Sequence, residues 1–101
     1  MNTSELTGAQ LDQWVAKAVG REAEPDYSPS SDWTQGGPIL EREGIHVAPL
    51  PAKGGAWCAI SIGRLQDRAT SGRGTWVEGP SLLVAGMRAL VTAKFGPTVN
   101  A

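Results

Sequence analysis

The chain has 101 residues, nine Lys and Arg against ten Asp and Glu, one His, one Cys and 41 % hydrophobic residues. That length holds one domain, 1–101, with one modest core, and the hydrophobic share argues against wholesale disorder. A net charge of −1 excludes a nucleic-acid binder that works through bulk positive charge; one Cys with one His excludes a disulfide framework and a protein-only zinc site.

Met1 to Gln10 is polar and acidic, unlike a signal peptide. The longest mostly apolar run, Leu82 to Val91, is interrupted by Arg88 and is about half the ~20 residues of a membrane span. The cytoplasm is the expected setting, and a lone Cys58 agrees with it.

Leu11, Trp14, Val15, Ala18 and Val19 recur at i, i+3, i+4, i+7 and i+8 and predict a helix over 8–19, with Asp12, Gln13 and Lys17 on its outer side. Thr7 with Gln10 makes a capping-box pattern, and Gly20 stands where a left-handed residue closes a helix. Residues 21–37 have no periodicity and read as one long loop. Its aromatics, Tyr27 and Trp33, are costly to expose and predict a loop packed on the core. Pro38 to Gly44 predicts a short helix with Pro at its first position and Gly at its end.

Ile45 to Pro49 and Trp57 to Ile62 alternate as strands joined by a hairpin loop at Pro51 to Gly55. Gly63 to Gly74 is polar, with room for a third strand near Leu65. Leu82 to Ala93 is apolar on most of a helical circumference, preceded by Gly79-Pro80-Ser81 and stopped by Gly96-Pro97. Such a helix is usually the central one, and Gly86 within it suggests a close approach by a neighbour. The expected fold is α+β: a small antiparallel sheet of two to three strands packed with N- and C-terminal helices, in the order α-loop-α(short)-β-β-α. Open sheet edges make a homodimer or a higher oligomer plausible.

The stretch Tyr27-Ser28-Pro29-Ser30-Ser31-Asp32-Trp33-Thr34-Gln35-Gly36-Gly37-Pro38-Ile39-Leu40-Glu41-Arg42-Glu43 resembles the signature of the NinX-like small proteins of tailed bacteriophages. The opening Glu5-Leu6-Thr7-Gly8-Ala9 with Leu11, Trp14 and Ala16 also resembles that family, as do Pro80, Leu82, Ala85, Met87, Arg88 and Gly96. Ser31 replaces an expected Thr and Gly86 an expected Ala; Arg64 to Gly74 does not align. The resemblance implies a phage or prophage origin and no established reaction.

The chemistry must then come from the residues. Gly36-Gly37 directly before a helix at Pro38 forms a generic anion seat, where backbone N–H groups and the helix dipole favour negative charge. Tyr27 and Trp33 offer stacking faces. Asp32 can accept from sugar or base groups; Ser28, Ser30, Ser31 and Gln35 supply neutral donors and acceptors, and Arg42 or Arg88 can neutralise a phosphate. These residues describe a site for a nucleotide-like small molecule. Each also has a plainer reading: a tight turn at the glycines, a core plug at Trp33, Asx and Ser turns or a helix cap at Asp32 and the serines.

His46 reads as a surface residue and Cys58 as a small hydrophobe in the sheet. Arg64, Arg68 and Arg73 near Trp76 form the one local basic loop, too little for DNA binding to be expected. No catalytic constellation, metal site or cofactor is expected. The expected function is that of a non-enzymatic phage accessory protein that captures a small, nucleotide-derived ligand and so blunts a host defence signal. The alternative is an interaction module for a host or phage protein, with the 27–37 loop purely structural.

Overall fold

The computed structural model describes residues 1–61 and 76–100. The described residues form three helices, α1 (Gly8–Val19), α2 (Trp33–Glu43) and α3 (Leu82–Phe95), and a sheet of β1 (Ile45–Leu50), β2 (Ala56–Ser61) and β3 (Val77–Gly79). The sheet is antiparallel with β2 in the middle. Its register sets Val47 beside Ala59 and Ala59 beside Val77. The α+β class holds, with a third strand at Val77–Gly79; the strand expected near Leu65 lies outside the described residues.

Helix α3 is the centre. Ser81 caps it by accepting from the Val84 N–H at 3.2 Å. Its small residues, Ala85 and Ala89, pack with Ala59 and Val77 of the sheet. Its larger ones, Met87, Leu90 and Val91, pack with Leu11 and Val15 of α1, Ile39 of α2 and Tyr27. A helix with only small side chains on one side lets the sheet come close. A Cβ on Gly79 would sit 2.6 Å from the Ala85 backbone nitrogen.

Helix α1 spans the predicted residues, and Gly20 closes it at φ 77°. Two details differ. Thr7 occupies the cap position without a side-chain bond to the helix. Asp12, expected on the outer face, is buried and accepts from the Ser30 N–H at 2.9 Å. A buried carboxylate with a backbone donor is satisfied where a solvated one was anticipated.

Helix α2 begins at Trp33, five residues before the predicted Pro38 start, so the loop is shorter and Gly36 and Gly37 lie inside the helix. The physical reason is Asp32. Its Oδ1 accepts from the Thr34 N–H at 3.0 Å and the Thr34 hydroxyl at 2.7 Å. A cap of this type outweighs the preference of Pro for the first turn, and Pro38 is held inside at the loss of one backbone bond. Gly44, at φ 64°, then turns the chain from α2 directly into β1.

Two of the helix glycines have opposite roles. A Cβ on Gly36 would collide with the Pro29 carbonyl oxygen and lie 2.8 Å from Leu83 Cδ2, so the loop can press on α2 only at a glycine. A Cβ on Gly37 would meet only Trp33 Cε3 at 3.8 Å, an ordinary contact. Gly86 is the close approach anticipated in α3: a Cβ there would lie 2.5 Å from Leu40 Cδ2 of α2. The glycine pair therefore yields a paired prediction. Gly36→Ala should destabilise the fold by about 1–3 kcal/mol through overpacking. Gly37→Ala should stabilise it by up to about 1 kcal/mol through helix propensity. Urea unfolding of both variants measures this; equal effects would contradict the packing described.

Candidate functional site

The signature segment closes on itself through hydrogen bonds. Gln35 Oε1 accepts from the Ser28 N–H at 2.9 Å, while Gln35 Nε2 donates to the Asp26 carbonyl at 3.1 Å and to Asp32 Oδ2 at 2.9 Å. Ser30 is buried and tied to Asp12; the Ser31 and Asp32 N–H groups both donate to the Ser28 carbonyl. The bonds from the Thr34 hydroxyl, the Gln35 amide and the Thr34 backbone hold the Asp32 carboxyl below its usual range. Asp32 is thus a helix cap, one of its two readings from sequence.

The expected anion seat is not formed as a loop before a helix. The Gly36 N–H donates to the Asp32 carbonyl at 2.8 Å, and Gly37 lies one residue deeper in the helix. Trp33, expected first as a core plug, is 57 % exposed, because it occupies the first helical position on the solvent side. Tyr27 does pack in the core, and its hydroxyl is buried with no hydrogen-bond partner. Burial pushes its phenol pKa up against the opposing pull of Arg21 and Arg42.

Beside Tyr27 the surface opens into a cleft of about 350 Å³ between the end of α1 and the face of α2 that carries Thr34, Gln35, Pro38 and Arg42. Arg21 enters from the other side, its guanidinium 4.3 Å from the Tyr27 ring centroid. Arg42 Nε lies 3.4 Å from the carboxylate of the buried Glu43, and about half of the Arg42 side chain is exposed. Among the described residues no acidic side chain lines the cleft.

Of the residues singled out from sequence, the cleft gathers Tyr27, Gln35 and Arg42. Ser28, Ser30, Ser31, Asp32, Trp33, Gly36 and Gly37 are outside its walls. Arg88 is on α3 and outside that cleft, where it donates to the Leu6 carbonyl at 2.7 Å and the Glu78 carbonyl at 3.0 Å. Sequence reasoning missed Arg21 and Thr34. Arg21 had one usable signal, its place directly after the Gly20 cap, where the chain turns back over α1. Arg64, Arg68 and Arg73 lie outside the described residues.

The remaining candidates do not gather. Cys58 pairs with Ala48 and His46 with Ile60, so both share the sheet face turned away from α3, one register step apart. Glu78, the β3 partner of Cys58, shares that face, and its carboxylate is bonded to Lys53 and to neither His46 nor Cys58. No group of three His, Cys, Asp or Glu residues among them is placed to hold a metal ion. No helix among them is long and apolar enough to cross a membrane.

The loop that ends in a capped glycine-bearing helix, packed on a central apolar helix, is the part of the fold that carries the signature. The chain belongs to the family described as Bacteriophage P22, NinX, which it matches over residues 20–94. The match takes in the signature, the sheet and nearly all of α3. It begins after α1, so the opening likeness at Glu5 to Ala16 lies outside it. No curated protein matches the chain.

Two outcomes follow from these bonds. Because the folded Asp32 carboxyl is more acidic than in the unfolded chain, its stabilisation is present above the ordinary carboxylate range and is lost as pH falls through the folded pKa. The melting-temperature gap between the native chain and Asp32→Ala should therefore be wide at neutral pH and narrow in acid; a gap independent of pH would contradict the cap. Tyr27→Phe removes a buried hydroxyl that lacks a partner. It should leave stability unchanged or raise it by about 1 kcal/mol in urea unfolding.

Proposed function

We propose that this chain acts by binding and not by catalysis, as a phage accessory protein that captures a small phosphate-bearing ligand of the nucleotide type. The observation that carries this reading is the cleft beside Tyr27. Two guanidinium groups, Arg21 and Arg42, border a space that has no acidic wall among the described residues. Guanidinium is the side chain best matched to phosphate, through paired N–H bonds and a weakly hydrated charge. At about 350 Å³ the cleft falls within the size range of small-molecule sites. Thr34 and Gln35 add polar groups on the α2 wall, and the exposed Trp33 ring at the start of the same helix offers a stacking surface beyond the rim.

In this reading Arg21 and Arg42 hold the charged group, Tyr27 forms the floor, and the capped loop keeps α2 in place. The action is stoichiometric capture in the cytoplasm of the bacterial host, and removal of a nucleotide signal would blunt a host defence. No cofactor or metal is required. Direct DNA binding is disfavoured by the net charge of −1.

A second reading has its own support. The polar groups of the signature are bonded to one another, while Trp33 and Trp76 are 57 % and 53 % exposed. Half-exposed tryptophans are typical anchors of protein interfaces, and a host or phage protein would then be the partner, or a second copy of the chain.

Native mass spectrometry of the chain purified from bacterial cells, before and after adding mono-, di- and cyclic nucleotides, separates the two. The first reading expects a retained or added nucleotide mass. It also expects Arg21→Ala and Arg42→Ala each to weaken binding about tenfold to a hundredfold in calorimetry, in line with ~1.5–3 kcal/mol for a charge-assisted bond. A bare mass with every nucleotide overturns it and favours a protein partner.

A further inference from the structure

Arg88 is the most unusual charge in the molecule. It lies half-buried on the central helix, and its guanidinium bonds two backbone carbonyls, those of Leu6 and Glu78. No carboxylate lies within ion-pair distance among the described residues. Its remaining N–H donors have no hydrogen-bond partner there. A partly buried cation ordinarily has an anion against it, because removal from water is otherwise uncompensated. Glu5 acts on the Arg88 charge from beyond that distance, its Oε2 accepting from Asn2 Nδ2 at 2.8 Å, and both oxygens of Glu78 accept from Lys53 Nζ, at 3.0 and 3.1 Å.

Arg88 also lines a cleft of about 490 Å³ that shares no lining residue with the one beside Tyr27. Its walls are Trp76 at the entry to β3, the β3 backbone, Pro80 and Ser4 of the N-terminal turn. Among the described residues β3 is an edge strand, and its Glu78 carbonyl accepts from Arg88. Among the described residues the walls thus hold one cation, one half-exposed aromatic ring, one hydroxyl and one carboxylate, that of Glu78, which Lys53 binds.

We propose that the Trp76–Arg88 cleft is a second binding site, for a planar aromatic monoanion whose ring stacks on Trp76 and whose carboxylate takes the unpartnered N–H donors of Arg88. One guanidinium matches one carboxylate in a paired bond, and an indole face is sequence-independent in what flat ring it accepts. The site is separate from the cleft beside Tyr27 and does not depend on the nucleotide reading.

The test uses the full ¹⁵N-labelled chain and indole-3-carboxylate as probe, followed by NMR at the Trp76 Nε1–H and Arg88 Nε–H resonances. Both should shift with saturation in the millimolar range expected of so small a ligand. Trp14 and Trp57 should stay in place. Trp76→Ala, at an exposed position, should weaken the Arg88 shift at least ~tenfold while the rest of the spectrum keeps its folded dispersion. Arg88→Lys should do the same at Trp76. A shift that grows linearly without saturation, an equal response to uncharged indole, or movement confined to Trp33 would each overturn the proposal. None of those results bears on nucleotide binding, which has its own probe.

Discussion

Everything in this fold rests on the burial of α3 from all sides. Leu83, Met87, Leu90 and Val91 are almost fully enclosed, as are Ala85 and Ala89. Large apolar side chains of this kind contribute about 1.5–3 kcal/mol each on burial. The division of α3 into a side of small residues and a side of large ones decides what each neighbour is. The sheet approaches over Ala85 and Ala89, and the helices pack over Met87, Leu90 and Val91. The N-terminal segment is drawn in too. Thr3 donates to the Gly96 carbonyl and accepts from the Thr92 hydroxyl, and Arg88 holds the Leu6 carbonyl.

The signature segment is best understood as the clamp that sets α2 on this helix. Pro29 is fully buried against Gly36, Ser30 is tied to Asp12, and Gln35 bridges Ser28, Asp26 and Asp32. A polar loop beside an aromatic reads, in sequence, as a set of free donors and acceptors. Here the groups satisfy one another, which is what a short loop needs when its backbone turns away from water. Its consequence for function is indirect. The clamp fixes the direction of α2, and with it the position of Arg42 opposite Arg21.

The two arginine clefts differ in kind. Beside Tyr27 the charges sit on a rim, exposed and paired across a gap. Around Arg88 a single charge is half-buried and braced by two carbonyls. Membership of the Bacteriophage P22 NinX family places the chain among phage proteins without assigning a reaction. The clefts are therefore where the physical chemistry of this chain points, and both point to anions despite a slightly negative net charge.

The amino-acid sequence by itself determined the elements whose signals are local. The apolar repeat and Gly20 bounded α1, Ser81 and Gly96 bounded α3, and alternation marked β1 and β2. The family likeness was legible in one continuous run, Tyr27 to Glu43. Local signals also competed there: Pro38 suggested a helix start, and Asp32 won because two bonds from Thr34 outweigh the fit of a proline ring to a first turn. What only the tertiary structure decided was which polar groups stay available. Asp12 went inward, Trp33 outward, Gln35 into the clamp, Arg88 to a separate cleft, and Arg21 to the same cleft as Arg42. Those outcomes depend on partners far apart in the chain, such as Asp12 with Ser30 and Arg88 with Leu6. Side-chain availability is a property of three-dimensional neighbours, and no periodicity or composition encodes it.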